Sequence, residues 1–155
     1  MICVWWDQNA VIYYELLEPK QTVNANLYSQ QLTRLNQALV TKRHWGAKGK
    51  RKVILLHDNA RPHVAKTTQE TIETLGWEVL SHPAYSPDLA PSGYHLFRSM
   101  QHFLKEKSYS DVESIRKDVA QFFASKPVSF YEKGIQSLPE RWAKVIDNDG
   151  NYFKD

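Results

Sequence analysis

At 155 residues, with a hydrophobic share of 42% that includes 5 Trp, 8 Tyr and 6 Phe, the chain has the length of one domain and enough apolar area to exclude a disordered segment. Twenty basic residues against 17 acidic ones leave a net charge of +3, which only slightly favours a polyanionic partner, so where the charges sit matters more than their sum. No apolar run approaches the roughly 20 residues of a membrane-spanning helix, a signal-peptide pattern is lacking, and the lone Cys3 excludes an internal disulfide and fits a buried structural thiol in a soluble, intracellular protein.

The elements follow in chain order. Residues 2 to 6, "ICVWW", and 10 to 17, "AVIYYELL", are rich in β-branched and aromatic types and predict two antiparallel strands joined by a turn at Asp7, Gln8 and Asn9. Met1 leads straight into the first apolar run, which suggests a truncated start. From Asn24, a suitable N-cap, an amphipathic helix is expected with Leu27, Leu32, Leu35 and Leu39 on or near one stripe. Residues 41 to 52, with six Lys or Arg and two Gly, predict a loop. "VILLHD", residues 53 to 58, reads as a short central strand covered on both faces. A helix is expected from near Pro62 to about Leu75, stopped by Gly76, followed by a strand over 77 to 82.

Three prolines within "PAYSPDLAPSG" predict an ordered or extended loop, and helices are expected at 94 to 106, 111 to 125 and 128 to 147, the last broken at Pro139. Strand and helix alternate after the opening hairpin, so the later strands should pair in parallel through right-handed crossovers in an α/β architecture.

Ligands in open α/β sheets bind just beyond the carboxyl ends of strands, and Asp58 is predicted there. Two roles suit it: a turn or helix-capping residue in "HDNARP", or a metal ligand, since carboxylate oxygen is what Mg²⁺ prefers. His57 and His63 flank it without the spacing of a zinc motif. His82, His95 and His102 are scattered, and no nucleophile turn of the Gly-x-Ser-x-Gly type occurs.

"VWWDQNAVIYYELL", "LLHDNARPH", "WEVLSHPAYSPDLAPSGYHLF" and "FYEKGIQSLPERWAKVIDNDGNYF" together resemble the catalytic domain of mariner-type transposases, in unbroken order over essentially the whole chain. The resemblance implies a ribonuclease H-like fold, a mixed sheet flanked by helices. It also implies DNA cutting and joining at element ends with two Mg²⁺ or Mn²⁺ ions held by three aspartates. The second aspartate matches Asp58. In the family 34 residues lie between the second and third aspartates, and 34 residues separate Asp58 from Gly93, so the resemblance implies that a glycine stands at the third-aspartate position.

The opening hairpin matches the family's second and third strands. The first, central strand, its aspartate and the N-terminal helix-turn-helix region are therefore expected to be absent, and residues 1–155 to form one partial catalytic domain. Asp88 is no substitute, because the family has an aspartate in "SPDL" besides the catalytic one, and Asp7 belongs to the hairpin turn.

Two divalent ions about 4 Å apart repel by roughly 16 kcal/mol at an effective dielectric near 20, and Asp58 alone carries too little negative charge to offset that. The expectation is a catalytically defective domain with residual, salt-dependent DNA binding. The candidate contacts are Arg61 and His63 beside Asp58, and the cluster Lys42, Arg43, Lys48, Lys50, Arg51 and Lys52 with Trp45 among them. DNA and a second copy of the chain are the expected partners, and the nucleus the expected location. The alternative is a domesticated module for protein interaction or dimerisation without DNA chemistry.

Overall fold

The computed structural model describes residues 1–43 and 52–151. The chain divides into two compact units, one made of Met1–Trp5 with Ile12–Ala84 and the other of Trp6–Val11 with Tyr85–Asp155.

The first unit holds all but the turn-side residue of β1 (Ile2–Trp6) and of β2 (Val11–Leu16), which pair as a two-stranded sheet, together with α1 (Ala25–Arg43). Strand pairing continues to the chain start, where the Leu17 amide donates to the Met1 carbonyl at 2.9 Å. Asn24 caps α1 through its Oδ1, which accepts from the Leu27 amide at 2.8 Å, as the sequence predicts. The buried stripe of α1 is Tyr28, Leu32, Leu35 and Leu39. Tyr28 therefore takes the place expected of Leu27, and its spacing to Leu32 keeps the side chains one turn apart on the same face. These residues join Ile12, Leu55, Ile72 and Trp77 in one core. Cys3 is half-buried, and burial pushes its thiol pKa up, the setting of an inert sulfur.

β3 (Ile54–Leu55) and β4 (Glu78–Val79) pair in parallel, Ile54 opposite Glu78 and Leu55 opposite Val79. The parallel pairing agrees with the expected crossover, but the strands are far shorter than the sequence suggests, and β3 is not covered on both faces. Ile54 is 61% exposed while Leu55 is 6% exposed. Successive strand residues point to opposite faces, and only Leu55 enters the core that α1 lines. A run of apolar residues cannot distinguish this from burial on both sides.

The crossover helix is also interrupted. α2 (Arg61–Val64) and α3 (Lys66–Leu75) are separated by Ala65, whose ψ of 148° is extended. Gly76 ends α3 at φ 72°, with the amides that close the helix reaching Glu73 and Ile72. A left-handed residue there is where glycine avoids the Cβ penalty.

In the second unit Pro87–Leu89 forms a 3₁₀ turn and Ser92–Phe97 a π-helical segment running into α4 (Arg98–Leu104). α5 (Val112–Ser125) is capped by Asp111, whose side chain accepts from the Ser114 amide at 2.7 Å. α6 (Val128–Gln136) and α7 (Leu138–Asp147) replace the last predicted helix. The break falls at Ser137, two residues before Pro139, because proline fits the first turn of the new helix, where no amide partner is needed. Among the described residues of this unit, Leu89, Leu96, Met100, Val119, Phe122 and Tyr131 form the buried hydrophobic set. Among the described residues no helix is long and apolar enough to cross a membrane.

Candidate functional site

Asp58 follows β3 in the turn that leads to α2. Its Oδ1 accepts from the Ala60 amide at 3.0 Å and meets His63 Nδ1 at 2.7 Å, so it is the turn-forming residue that "HDNARP" predicts. Burial raises the carboxyl pKa, but the Ala60 amide and the His63 ring outweigh it and hold the group below its ordinary value. Asp58 is thus ionised and still largely exposed, with a side-chain exposure of 60%. Beside it, Asn59 Nδ2 donates to the His82 carbonyl at 2.9 Å, tying together the segments that leave β3 and β4.

The two histidines that seem isolated in sequence are assembled by the fold. Their rings stack 4.9 Å apart at 3°, and Tyr28, from α1, bonds His57 Nδ1 through its hydroxyl at 2.7 Å while its ring packs 4.3 Å from His63. Tyr28 is a residue that sequence reasoning missed. Its only signal was helical spacing from Leu32, which marks burial and not a hydroxyl aimed at a histidine.

Burial, reinforced by His63, pushes the His57 pKa down from 6.5 to about 4. The native state then binds fewer protons than the unfolded state between those values, so stability rises with pH across that interval. Stability should be complete above about pH 6.5 and fall toward pH 4 by about 1–2 kcal/mol once partial exposure is discounted. Urea melts at pH 7 and 4.5 should show a larger acid loss in the native protein than in His57→Asn.

The basic candidates differ in their surroundings. Lys42 turns its Nζ onto the Ile12 carbonyl at 2.7 Å, and Lys52 pairs with Glu78 at 3.2 Å. Arg43, at the end of α1, reaches the Lys42 carbonyl at 3.4 Å. Arg61 is exposed at the start of α2. Lys48, Lys50 and Arg51, with Trp45, lie outside the described residues.

Gly93 belongs to the second unit, in the π-helical segment, where its amide bonds the Ala90 carbonyl at 2.8 Å. Its φ is not among the positive ones, so the backbone does not demand glycine. An added Cβ would meet the Pro87 carbonyl oxygen at 3.3 Å and only the Ala90 methyl group besides, at 4.0 Å, a tight but small adjustment.

A Mg²⁺ or Mn²⁺ ion of the kind the family implies needs several oxygen donors. Asp58 has one carboxylate oxygen already engaged, Gly93 has no side-chain oxygen, and among the described residues no group of three His, Cys, Asp or Glu is placed to hold a metal. Among the described residues the donors present do not complete a shell for the ion.

A family model described as transposase (partial DDE domain) matches residues 1–49. The Mariner Mos1 transposase of Drosophila mauritiana is 54% identical over 154 residues, 99% of this chain and 45% of that protein. The histone-lysine N-methyltransferase SETMAR of Homo sapiens is 39% identical over 153 residues, 99% of this chain and 22% of that protein. A solved structure of the Mos1 transposase catalytic domain with raltegravir and Mn superposes with a TM-score of 0.96 at 56% identity, covering 99% of this chain and 76% of that one. The chain belongs to the mariner-type transposases, and its fold is that of their ribonuclease H-like catalytic domain, with helices dominating small sheets. It spans less than half the length of the curated relatives it matches.

Proposed function

We propose that this chain is a mariner-type catalytic domain that still contacts DNA but is defective in metal-dependent strand cleavage and transfer. The observation that carries this reading is a glycine at 93, on backbone that does not require glycine, where the family resemblance implies the third aspartate. Two-metal phosphoryl transfer depends on carboxylates that offset the repulsion between cations, and a hydrogen at that position supplies no charge. Asp58 keeps its carboxylate ionised by local bonds, which preserves the turn whether or not an ion is held.

DNA contact can outlast the chemistry because phosphates are bound by cationic groups rather than by the metal ligands. Arg61, His63 and the cluster Lys42, Arg43, Lys48, Lys50, Arg51 and Lys52 are the proposed contacts. A Mos1 structure is a paired-end complex with the left transposon end, which supports DNA as partner. One partial catalytic domain over residues 1–155, a homodimer and a nuclear location belong to the same reading.

The test is incubation of the purified protein with supercoiled plasmid and Mn²⁺. Nicking should not exceed that of Asp58→Ala, and Asp58-dependent nicking would overturn the reading. A second reading, an interaction module without DNA chemistry, draws on the 39% identity to a protein whose name denotes a methyltransferase. It would be favoured if no duplex were retained even at low salt.

A further inference from the structure

We propose that the groove along α4 in the second unit binds single-stranded nucleic acid, with its phosphates on Arg98 and Lys105 and its bases against Tyr94 and Phe130. This goes beyond the contacts named above and rests on the reading that the domain engages DNA.

The groove has a volume of about 860 Å³. One wall is a single helical stripe, since Tyr94, Arg98, Gln101, His102 and Lys105 recur every three or four residues through the π-helical segment and α4. Across from the stripe stands Phe130 of α6. None of the residues lining the groove is acidic, although the chain carries 17 acidic residues against 20 basic ones. Lys133, Lys126 and Arg141 add to the positive field at His95, on the same wall. The cavity therefore selects an anion.

The apolar part of the lining narrows the choice. Tyr94 and Phe130 are half-buried, and Phe130 is held in place by its carbonyl, which bonds His95 Nε2 at 2.7 Å, and by the His95 ring 4.3 Å away. Arg141 covers one face of Tyr94 at 3.9 Å, fixing that ring as well. Fixed aromatic side chains beside a cationic track are the two components of single-strand binding sites, where stacking accepts any base and cations follow the backbone. A duplex hides its base faces and would leave the aromatic side unused, and an acidic peptide offers charge without flat rings. Helix rise places Arg98 and Lys105 about 10 Å apart along the axis, enough to span two successive phosphates.

The experiment is fluorescence anisotropy of the full chain with labelled twelve-residue oligothymidylate and oligouridylate, a matched duplex, and polyglutamate as competitor. Arg98→Glu combined with Lys105→Glu should weaken single-strand binding by about tenfold or more and reduce the salt slope by about 1.4, for two phosphate contacts, with an unchanged thermal melt. Binding of either oligomer supports the site, and the tighter of the two identifies its source. Photocrosslinking of bromodeoxyuridine-substituted strand to the unaltered protein should map to Tyr94 or Phe130, which keeps the proposal testable if the double variant fails to fold.

Crosslinks confined to other residues, or a folded double variant binding within twofold of the original, would overturn the groove alone. Displacement by polyglutamate at matched charge would reassign it to an acidic peptide. If duplex binds and single strands do not, the groove fails while DNA contact stands; if neither binds at low salt, the DNA reading itself fails.

Discussion

Replacing Phe122 with alanine is expected to destabilise the protein by about 3–5 kcal/mol. The side chain is 0% exposed and sits among Phe103 at 5.5 Å, Phe123 at 5.7 Å and Phe130 edge-on at 6.4 Å, with Lys126 over its ring at 5.1 Å. Truncation removes the transferred area and leaves a cavity that three rings from separate segments cannot jointly close, and it also loses the aromatic pair terms. For a chain of this length the loss corresponds to roughly 6–20 °C in melting temperature. Phe123→Ala is the comparison, because that neighbour is only half-buried and should cost distinctly less. Equal effects of the two substitutions in thermal melts would show that aromatic content, not enclosure, sets the stability of this unit.

The second expectation runs against helix propensity. Alanine is normally better than glycine inside a helix by about 0.5–1 kcal/mol, yet Gly134→Ala in α6 should destabilise by about 1–3 kcal/mol through overpacking. A Cβ there would lie 2.9 Å from both His95 Cγ and Trp6 Cη2, and neither ring can swing aside without loss. His95 is held by the Phe130 carbonyl, and Trp6 donates its indole N–H to Ser92 Oγ at 2.9 Å. The Gly134 carbonyl also accepts from the Tyr94 hydroxyl at 2.5 Å, so any shift of α6 strains that bond. Chemical denaturation of Gly134→Ala checks the sign, and a stabilised variant would mean that the two rings are looser than these bonds imply.

Both expectations depend on contacts that no local pattern announces. Trp6 and Ser92 are 86 positions apart, and Tyr94 and Gly134 are 40 apart. In the sequence Trp6 reads as a strand residue, His95 as a scattered histidine and Gly134 as an unremarkable helix position. Similarly, Lys42 reads as part of a solvated basic loop, whereas the end of α1 carries its amine to the Ile12 carbonyl. A composition count cannot see that, because the partner is a backbone oxygen on a strand 30 residues earlier.

What was legible was local chemistry. Asp7 accepts from the Asn9 and Ala10 amides at 2.9 and 3.1 Å and closes the predicted hairpin turn; Asn24 caps α1, Gly76 ends α3, and Asp58 forms its turn. Each of these rests on bonds within a few residues, which the side-chain type nearly dictates. The family and its ribonuclease H-like architecture were legible too, because several long motifs keep their order along the chain. The spacing of 34 residues between Asp58 and Gly93 needs only counting.

From its residues alone, this protein set its capped helices, its turns and its membership of the mariner-type transposases, since those follow from short-range bonding and from motif order. Only the tertiary structure decided that β3 buries Leu55 and not Ile54, that Tyr28 joins the two histidines beside Asp58, and that one face of α4 becomes a cationic groove with aromatic side chains. The physical reason is that burial and field are sums over neighbours from distant parts of the chain, and a side chain acquires them only when the elements pack.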